Sequence, residues 1–228
     1  HRLIAREARL WLVDAGGVRG VLRRLDPGLL PPTAATLEDR RWLHDFLTRL
    51  ATTGFVAPRP LDVFDGASLA IHGGAIWELM TFIDGQAVGW DQEPGMEAIG
   101  SLLARYHDAS SRIKMTSQRP AAIPISEIST ILANASTRDS ADPGLTQLRR
   151  WADQLDESLE HGRHTDRPVL VIHGDFTNHN VIANGTPPLP IGVIDFGLAQ
   201  QECPLADLGF GLWRSGRPHQ AATRIDPD

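Results

Sequence analysis

The sequence predicts an α+β fold in which a small antiparallel sheet is followed by a mainly helical region. Three observations predict it. Short apolar runs separated by a turn signal begin the chain, one strongly periodic helix follows them, and helical periodicity dominates after about residue 85. The 228 residues are enough to bury one large hydrophobic core or two small ones.

The first part of the chain predicts strands around a single helix. Residues 10–13 and 21–22 are apolar, and the turn signal Asp14-Ala15-Gly16-Gly17 between them predicts a hairpin. Thr33 is a candidate N-cap for a helix that ends near Gly54. Apolar residues at helical spacing mark its buried face: Leu37, Trp42, Leu43, Phe46, Leu47 and Leu50. Residues 61–64 and 75–80, around a turn at Gly73-Gly74, complete the order strand, strand, helix, strand, strand.

The second part predicts helices that are interrupted by a small sheet. Apolar residues at helical spacing predict one helix over residues 96–106 and another over 145–159. Between residues 168 and 197 there are three apolar runs, each beside a polar cluster. The runs are residues 169–172, 181–183 and 191–194, and Asn184-Gly185 turns the second run back toward the third. We therefore expect the polar clusters to lie at one end of these strands.

Composition excludes several classes of function. The 22 basic and 28 acidic residues give a net charge of −6, which disfavours a nucleic acid or an anionic membrane as partner and suits a neutral or cationic small substrate. Cys203 is the only cysteine, so an internal disulfide and a cysteine-built zinc site are excluded, and a cytoplasmic location is expected. No apolar run approaches the ~20 residues of a membrane span. Lys114 is the only lysine.

Two polar clusters carry the chemistry. Residues 173–180 read His-Gly-Asp-Phe-Thr-Asn-His-Asn, and residues 195–197 read Asp-Phe-Gly. Phosphoryl transfer requires a carboxylate that orients the attacking hydroxyl and oxygen ligands that fix Mg²⁺ on the phosphates. Asp175, Asn180 and Asp195 supply these groups. A metallophosphoesterase is the alternative for a histidine-rich segment, but that class needs more histidine and aspartate ligands than this segment holds.

These motifs resemble a known family. The run from His173 to Asn180 is similar to the catalytic loop of the aminoglycoside phosphotransferase and choline kinase superfamily, and residues 194–197 resemble its metal-binding strand end. The resemblance implies a two-lobed protein-kinase-like fold, with a nucleotide-binding lobe at residues 1–80 and a catalytic and acceptor-binding lobe at 81–228. It also implies Asp175 as the catalytic base and Asn180 and Asp195 as Mg²⁺ ligands.

The resemblance extends to the nucleotide site and to the support of the catalytic loop. Met80 is at the position that borders the adenine, and Thr81-Phe82-Ile83 supplies backbone groups for its edge. Arg23 is at the position where most kinases have a phosphate-binding lysine, and its helix partner would be Glu38 or Asp39. For the catalytic loop, the resemblance implies that Asp207 is a brace, and His173 is expected to be structural.

The implied reaction is transfer of the γ-phosphoryl group of ATP or GTP to a hydroxyl of a small molecule, with a cationic one favoured by the charge. The acceptor is left open among aminoglycosides, choline-like amines, homoserine and sugars. Residues 5–9 contain no glycine where a nucleotide-covering loop is expected. Either part of that loop lies before His1, which is not an initiator Met, or nucleotide binding is weaker or rearranged. The alternative is a non-catalytic, nucleotide-binding protein of the same fold.

Overall fold

The computed structural model describes most of the chain outside residues 120–167. The described residues are 2–4, 8–15, 17–62, 65–88, 95–119, 150 and 168–215. Contacts between Cα atoms divide the chain into two units, residues 1–121 with 169–228 and residues 122–168. The helix predicted over residues 145–159 lies outside the described residues, apart from the helical Arg150.

A five-stranded antiparallel sheet forms the first part of the fold. Its strands are β1 (Arg2–Ile4), β2 (Ala8–Ala15), β3 (Val18–Leu25), β4 (Leu69–His72) and β5 (Ala75–Thr81), in the order β1-β2-β3-β5-β4. The β2-β3 hairpin is as predicted. Of the strand expected at residues 61–64, residues 61–62 are not in a strand and residues 63–64 lie outside the described residues, while β4 begins at Leu69. Gly73 and Gly74 have φ angles of 56° and 69° and form the two-residue turn into β5, so the preceding strand ends at His72.

The single helix of this part is α1 (Ala34–Thr52), which agrees with the prediction. Thr33 caps it, because its side-chain oxygen accepts a hydrogen bond from the backbone N–H of Thr36 at 3.2 Å. Gly54, with φ 82°, turns the chain away after the helix. The buried face of α1 carries apolar residues and also three polar ones, Asp39, Arg40 and His44.

Apart from the helical Arg150, the described residues of the second part form two helices and several short strands. Its elements are β6 (Gln86–Ala87), α2 (Met96–Ser111), β7 (Leu170–Ile172), β8 (Val181–Asn184), β9 (Leu189–Val193), β10 (Gln200–Glu202) and α3 (Leu205–Ser215). The predicted β8-β9 hairpin is confirmed, and β6 pairs with β8 while β10 pairs with β7. Among the described residues, no helix is long and apolar enough to cross a membrane.

One hydrophobic cluster joins α1, α2 and the strands that carry the polar motifs. It includes Phe46 of α1, Tyr106 of α2, Val193 of β9 and Phe196. Tyr106 is fully buried and donates a hydrogen bond from its hydroxyl to the carbonyl of Val171 at 2.8 Å. Burial of a large apolar side chain contributes about 1.5–3 kcal/mol. The polar clusters therefore sit on strands that the core holds in place.

Candidate functional site

The backbone of the predicted catalytic loop is held by Asp207 of α3. This carboxylate is fully buried and accepts hydrogen bonds from the N–H groups of His173 and Gly174, both at 2.8 Å. His107 of α2 lies 3.0 Å from the same carboxylate. Two backbone N–H donors on one carboxylate fix the orientation of the loop. The expectation that Asp207 braces the loop agrees with this geometry.

His173 links the loop to the end of β9. Its Nε2 lies 2.9 Å from the carbonyl oxygen of Ile194, and its Nδ1 accepts a hydrogen bond from the N–H of Asp175 at 3.2 Å. The first contact requires a proton on Nε2 and the second a lone pair on Nδ1, so the ring is neutral. Burial lowers the pKa of His173, although Asp207, the Ile194 carbonyl, Asp175 and Asp195 act in the opposite direction. This side chain is structural, as expected.

Asp175 and Asn180 are in direct contact. The side-chain amide of Asn180 donates to the carbonyl of Asp175 at 2.8 Å and to its Oδ2 at 3.0 Å. A 3-10 turn over Asn178–Asn180 brings the two together. With its NH₂ group used in this way, Asn180 has its amide oxygen left as an acceptor.

Asp195 adjoins this pair through the backbone. The N–H of Ile194 donates to the carbonyl of Asn180 at 2.8 Å, so Asp195 follows directly on a residue bonded to Asn180. Asp195 is exposed and has φ 65° and ψ 63°, a left-handed conformation that is uncommon for a residue other than glycine. In the described part of the chain, its carboxylate has no hydrogen bond or ion pair. Carboxylate and amide oxygens are the ligands that Mg²⁺ takes, so Asn180 and Asp195 fit this ion.

The loop and the turn after Asp195 are in very close contact. Gly174 has φ 79°, and a Cβ atom placed on it would lie 2.2 Å from the carbonyl oxygen of Leu198. No side chain can be accommodated at that distance without movement of the backbone. Glycine is therefore required between His173 and Asp175 for two reasons, its backbone angle and this contact.

The predicted partner of Arg23 is wrong. Arg23 of β3 lies opposite Glu78 of β5 in the sheet, and its Nη1 is 3.1 Å from the Glu78 carboxylate. The helix contributes two further partners to this site, because Arg40 and His44 also bind Glu78, at 2.9 Å each. Burial alone would raise the pKa of Glu78, but Arg40, then Arg23 and His44, lower it well below its usual range. Glu78 had no motif around it that would identify it.

The acidic residues of the helix are used differently. Glu38 is exposed, and Asp39 binds Arg119 at 2.7 Å and 2.8 Å. Arg119 also donates to the carbonyls of Gly197 and Ala199, beside the Asp-Phe-Gly motif. Because Arg119 is 80 positions from Asp39 in the sequence, neither periodicity nor motif spacing could pair them.

The hinge residues differ in how accessible they are. Met80 is buried in the core, at 3% exposure. The N–H of Thr81 donates to the Arg59 carbonyl at 2.8 Å, and that of Phe82 to the Arg19 carbonyl at 3.2 Å. Both N–H groups are therefore occupied within the protein, and the adenine roles of Met80, Thr81 and Ile83 stay predictions. Of the glycine-free segment 5–9, residues 5–7 lie outside the described residues.

The chain is similar to proteins of one family over nearly its whole length. The model of the phosphotransferase enzyme family (APH) matches residues 4–226. A homoserine kinase of Rhizobium etli (strain CIAT 652) is 30% identical over 168 residues, which cover 73% of this chain and 50% of that protein. A homoserine kinase of Bradyrhizobium diazoefficiens is 31% identical over 170 residues, covering 73% of this chain and 49% of that protein. The chain thus spans about half the length of the curated relatives it matches.

Solved structures share the fold. An amicoumacin kinase, hAmiN, in complex with AMP-PNP, Ca²⁺ and Ami superimposes with a TM-score of 0.67 at 16% identity, covering 96% of this chain and 66% of that one. The GDP and kanamycin complex of APH(2")-IIia has a TM-score of 0.64 at 17% identity, with 92% and 70% covered. At these identities the likeness concerns the fold alone, and it confirms the predicted kinase-like α+β class.

Proposed function

We propose that this chain, which belongs to the phosphotransferase enzyme family, transfers a phosphoryl group from a nucleoside triphosphate to a hydroxyl of a small molecule. The observation that carries the proposal is the joint arrangement of Asp175, Asn180 and Asp195. Asn180 contacts Asp175 through its side chain and adjoins Asp195 through the backbone. In this reading, residues 1–80 form the nucleotide-binding lobe and residues 81–228 the catalytic and acceptor-binding lobe.

Asp175 is the proposed catalytic base. The acceptor oxygen forms a bond to the γ-phosphorus while the bond from that phosphorus to the β–γ bridging oxygen breaks. The hydroxyl proton passes to Asp175, whose Oδ2 is already fixed by Asn180 at 3.0 Å. Because phosphoryl transfer needs little covalent help from the protein, orientation of the hydroxyl is the main task of this carboxylate.

Asn180 and Asp195 are the proposed ligands of Mg²⁺. Both carry side-chain oxygen atoms, and a hard divalent ion takes few protein oxygens when phosphates and water complete its shell. When bound, the ion would offset charge on the β- and γ-phosphates. The left-handed backbone of Asp195 sets the direction of its carboxylate, as is common at functional positions.

The donor is proposed to be ATP or GTP, with Arg23 as its cationic contact. Arg23 lies on the same face of the sheet as Met80, because Val21, two residues from Arg23, is the register partner of Met80. The Nε of Arg23 is buried without a hydrogen-bond partner among the described residues, which supports a further anionic ligand. The N–H groups of Thr81 and Phe82 are occupied, so we propose the main chain of Ile83 for the adenine edge.

The acceptor is proposed to be a small hydroxylated amine. Relatives at about 30% identity are homoserine kinases, and the solved structures with this fold include a complex with kanamycin. Homoserine and kanamycin each carry both amino and hydroxyl groups. The net charge of −6 suits a cationic substrate. The alternative function is that of a non-catalytic protein of this fold, which binds nucleotide without turnover.

Substitution of the proposed base separates these two functions. Asp175→Asn is expected to lower kcat about 10²–10⁴-fold, because it removes the proton acceptor, while nucleotide binding by thermal shift is retained. Asp108→Asn is the matched control, since the exposed side chain of Asp108 is bound only to Arg112 in the described structure. ATP or GTP turnover with homoserine, kanamycin and choline is the assay.

Equal turnover by D175N and wild type would contradict the assignment of the base. Binding of nucleotide by the wild type without turnover of any acceptor would favour the non-catalytic alternative.

A further inference from the structure

Arg119 connects the helix α1 to the segment that follows Asp195. It is 7% exposed, and each nitrogen of its guanidinium has a partner. Nε and Nη2 donate to the two oxygens of Asp39, at 2.7 Å and 2.8 Å. Nη1 donates to the carbonyls of Gly197 and Ala199, at 2.8 Å and 2.6 Å. A bidentate carboxylate on one side and two carbonyls on the other leave this side chain a single orientation.

The segment that carries Arg119 is itself attached on both sides. The carbonyl of Ser117 accepts from Nε1 of Trp42 at 2.9 Å and from the amide of Gln201 at 2.7 Å. The backbone N–H of Arg119 donates to the side-chain oxygen of Gln201 at 3.1 Å. Trp42 belongs to α1 and Gln201 to β10, so a second set of hydrogen bonds joins α1 to the strand that follows Ala199.

The two carbonyls that Arg119 binds flank Leu198, the residue in contact with Gly174. The turn over Phe196–Leu198 therefore lies between Arg119 and the catalytic loop. Immediately before that turn, Asp195 holds a left-handed conformation that costs about 1–3 kcal/mol for a residue other than glycine. Such a conformation persists only where its surroundings fix it. His173 fixes the near side through Ile194, and Arg119 fixes the far side through Gly197.

We propose that Arg119, oriented by Asp39, is a positioning residue that sets the direction of the Asp195 carboxylate. Asp39, one of the two predicted helix partners of Arg23, binds Arg119 instead, and Arg23 binds Glu78. The proposal rests on the proposed function in one respect, the role of Asp195 as a Mg²⁺ ligand. The link from α1 to the turn after Asp195 does not depend on activity and can be tested without it.

The first test is the metal dependence of turnover in Arg119→Lys. Lysine keeps the charge but cannot contact both Asp39 oxygens and two carbonyls at once. We expect the Mg²⁺ concentration for half-maximal activity to rise about 10-fold or more, as for outer-shell residues at other metal sites, while KM for the acceptor is unchanged. Arg112→Lys is the control, because Arg112 is exposed and paired only with Asp108 in the described structure. A lowered thermal midpoint with unchanged Mg²⁺ dependence would overturn the proposal, since Arg119 would then be merely structural.

The second test is hydrogen exchange of the free protein, which needs no turnover. The Ala199 amide donates to the Phe196 carbonyl at 3.1 Å and reports on the turn, whereas the Val193 amide donates to the Val56 carbonyl at 3.2 Å and reports on the adjacent hairpin. In R119K, exchange at Ala199 is expected to accelerate about 10-fold or more relative to Val193. Equal rates in R119K and wild type would overturn the link.

Asp39→Asn provides the same tests if R119K does not fold, because Asn keeps one acceptor for Arg119. The double variant D39N/R119K is expected to change both readouts no further than R119K alone, since the two residues act through one contact. Additive effects would overturn the claim that Asp39 acts through Arg119. A wild type without turnover would refute the proposed function, and the exchange measurement would still decide the link between α1 and the turn.

Discussion

Asp207 and Glu78 are both fully buried carboxylates, yet they are satisfied in different ways. Asp207 accepts two backbone N–H groups of the catalytic loop and contacts His107. Glu78 is surrounded by the side chains of Arg23, Arg40 and His44. The first carboxylate organises a stretch of main chain, and the second balances charge inside the small sheet.

A buried carboxylate can thus serve either to orient the main chain or to compensate buried positive charge. If Asp207 loses its charge, a neutral side chain can still accept a hydrogen bond from one of the two loop N–H groups. Loss of the charge at Glu78 leaves two guanidinium groups facing one another without compensation, which is the more costly situation. Four measurements, taken from the largest expected effect to the smallest, test this contrast.

Glu78→Gln should cause the largest loss of stability. Removal of one member of a buried ion pair typically costs about 3–5 kcal/mol, because the partners remain buried and charged. Urea unfolding measures the change, and Glu38→Gln on the exposed side of α1 is the control. A loss below about 1 kcal/mol for E78Q would show that Arg23 and Arg40 find other partners or water.

Asp207→Asn should be less destabilising but more damaging to activity. One backbone N–H of the loop loses its acceptor, at about 1–3 kcal/mol, and the loop bearing Asp175 loses its fixed orientation. Turnover is therefore expected to fall by at least about 10-fold, as when positioning groups are lost, with the nucleotide affinity little changed. Full activity with reduced stability would mean that Gly174 and Leu198 hold the loop without Asp207.

The two regions should also respond to acid at different pH. Burial holds the pKa of His173 below its usual 6.5, so the unfolded chain binds a proton that the folded ring does not. The stability that this neutral ring provides is complete above about pH 6.5 and declines as the pH falls, by up to about 1.4 kcal/mol per unit. The pKa of Glu78 is lowered from 4.5, so its contribution is complete above about pH 4.5 and is lost only below that value.

Denaturant unfolding between pH 7.5 and 5 measures this effect for His173. In His173→Gln the dependence of the unfolding free energy on pH should be smaller by up to one proton. An identical pH dependence in H173Q and wild type would contradict the lowered pKa.

The exposed pair of Arg19 and Asp84 should show the smallest effect. Its atoms are 2.8 Å apart, as close as those in the buried clusters, but the side chains are 50% and 75% exposed. Asp84→Asn is expected to cost about 0–1 kcal/mol, and less as salt is added. A cost comparable to that of E78Q would mean that distance, and not burial, decides the strength of ion pairs in this sheet.

The features that could be predicted from the sequence are those that local patterns define. The predicted catalytic loop and the Asp-Phe-Gly motif are local patterns on predictable strands, so the sequence could select Asp175, Asn180 and Asp195 as candidates. In the structure Asn180 contacts Asp175 and adjoins Asp195 through the backbone, and the roles of the three residues stay predictions. The helices α1 and α2 and the β8-β9 hairpin followed from periodicity, a cap and a turn signal.

What could not be predicted depends on contacts between distant, polar residues. Glu78 and Arg40 are 38 positions apart, and no spacing rule relates them. Strand β10 reads Gln-Gln-Glu and has no apolar alternation, since it is defined by its pairing with β7. The strand at residues 69–72 was not predicted because residues 61–64 and 69–72 each hold three apolar residues of four, so apolar content does not select the run before the glycine turn.

The arginine at the centre of the small sheet also limits which reagents can detect this protein. Nucleotide analogues that acylate an amine beside the bound phosphates require a lysine at that place. The only lysine of the chain, Lys114, is exposed just after α2, and the sheet presents Arg23 instead. If Arg23 is the phosphate contact proposed above, amine-directed nucleotide probes are expected to leave the small sheet unlabelled, because these residues offer no lysine there.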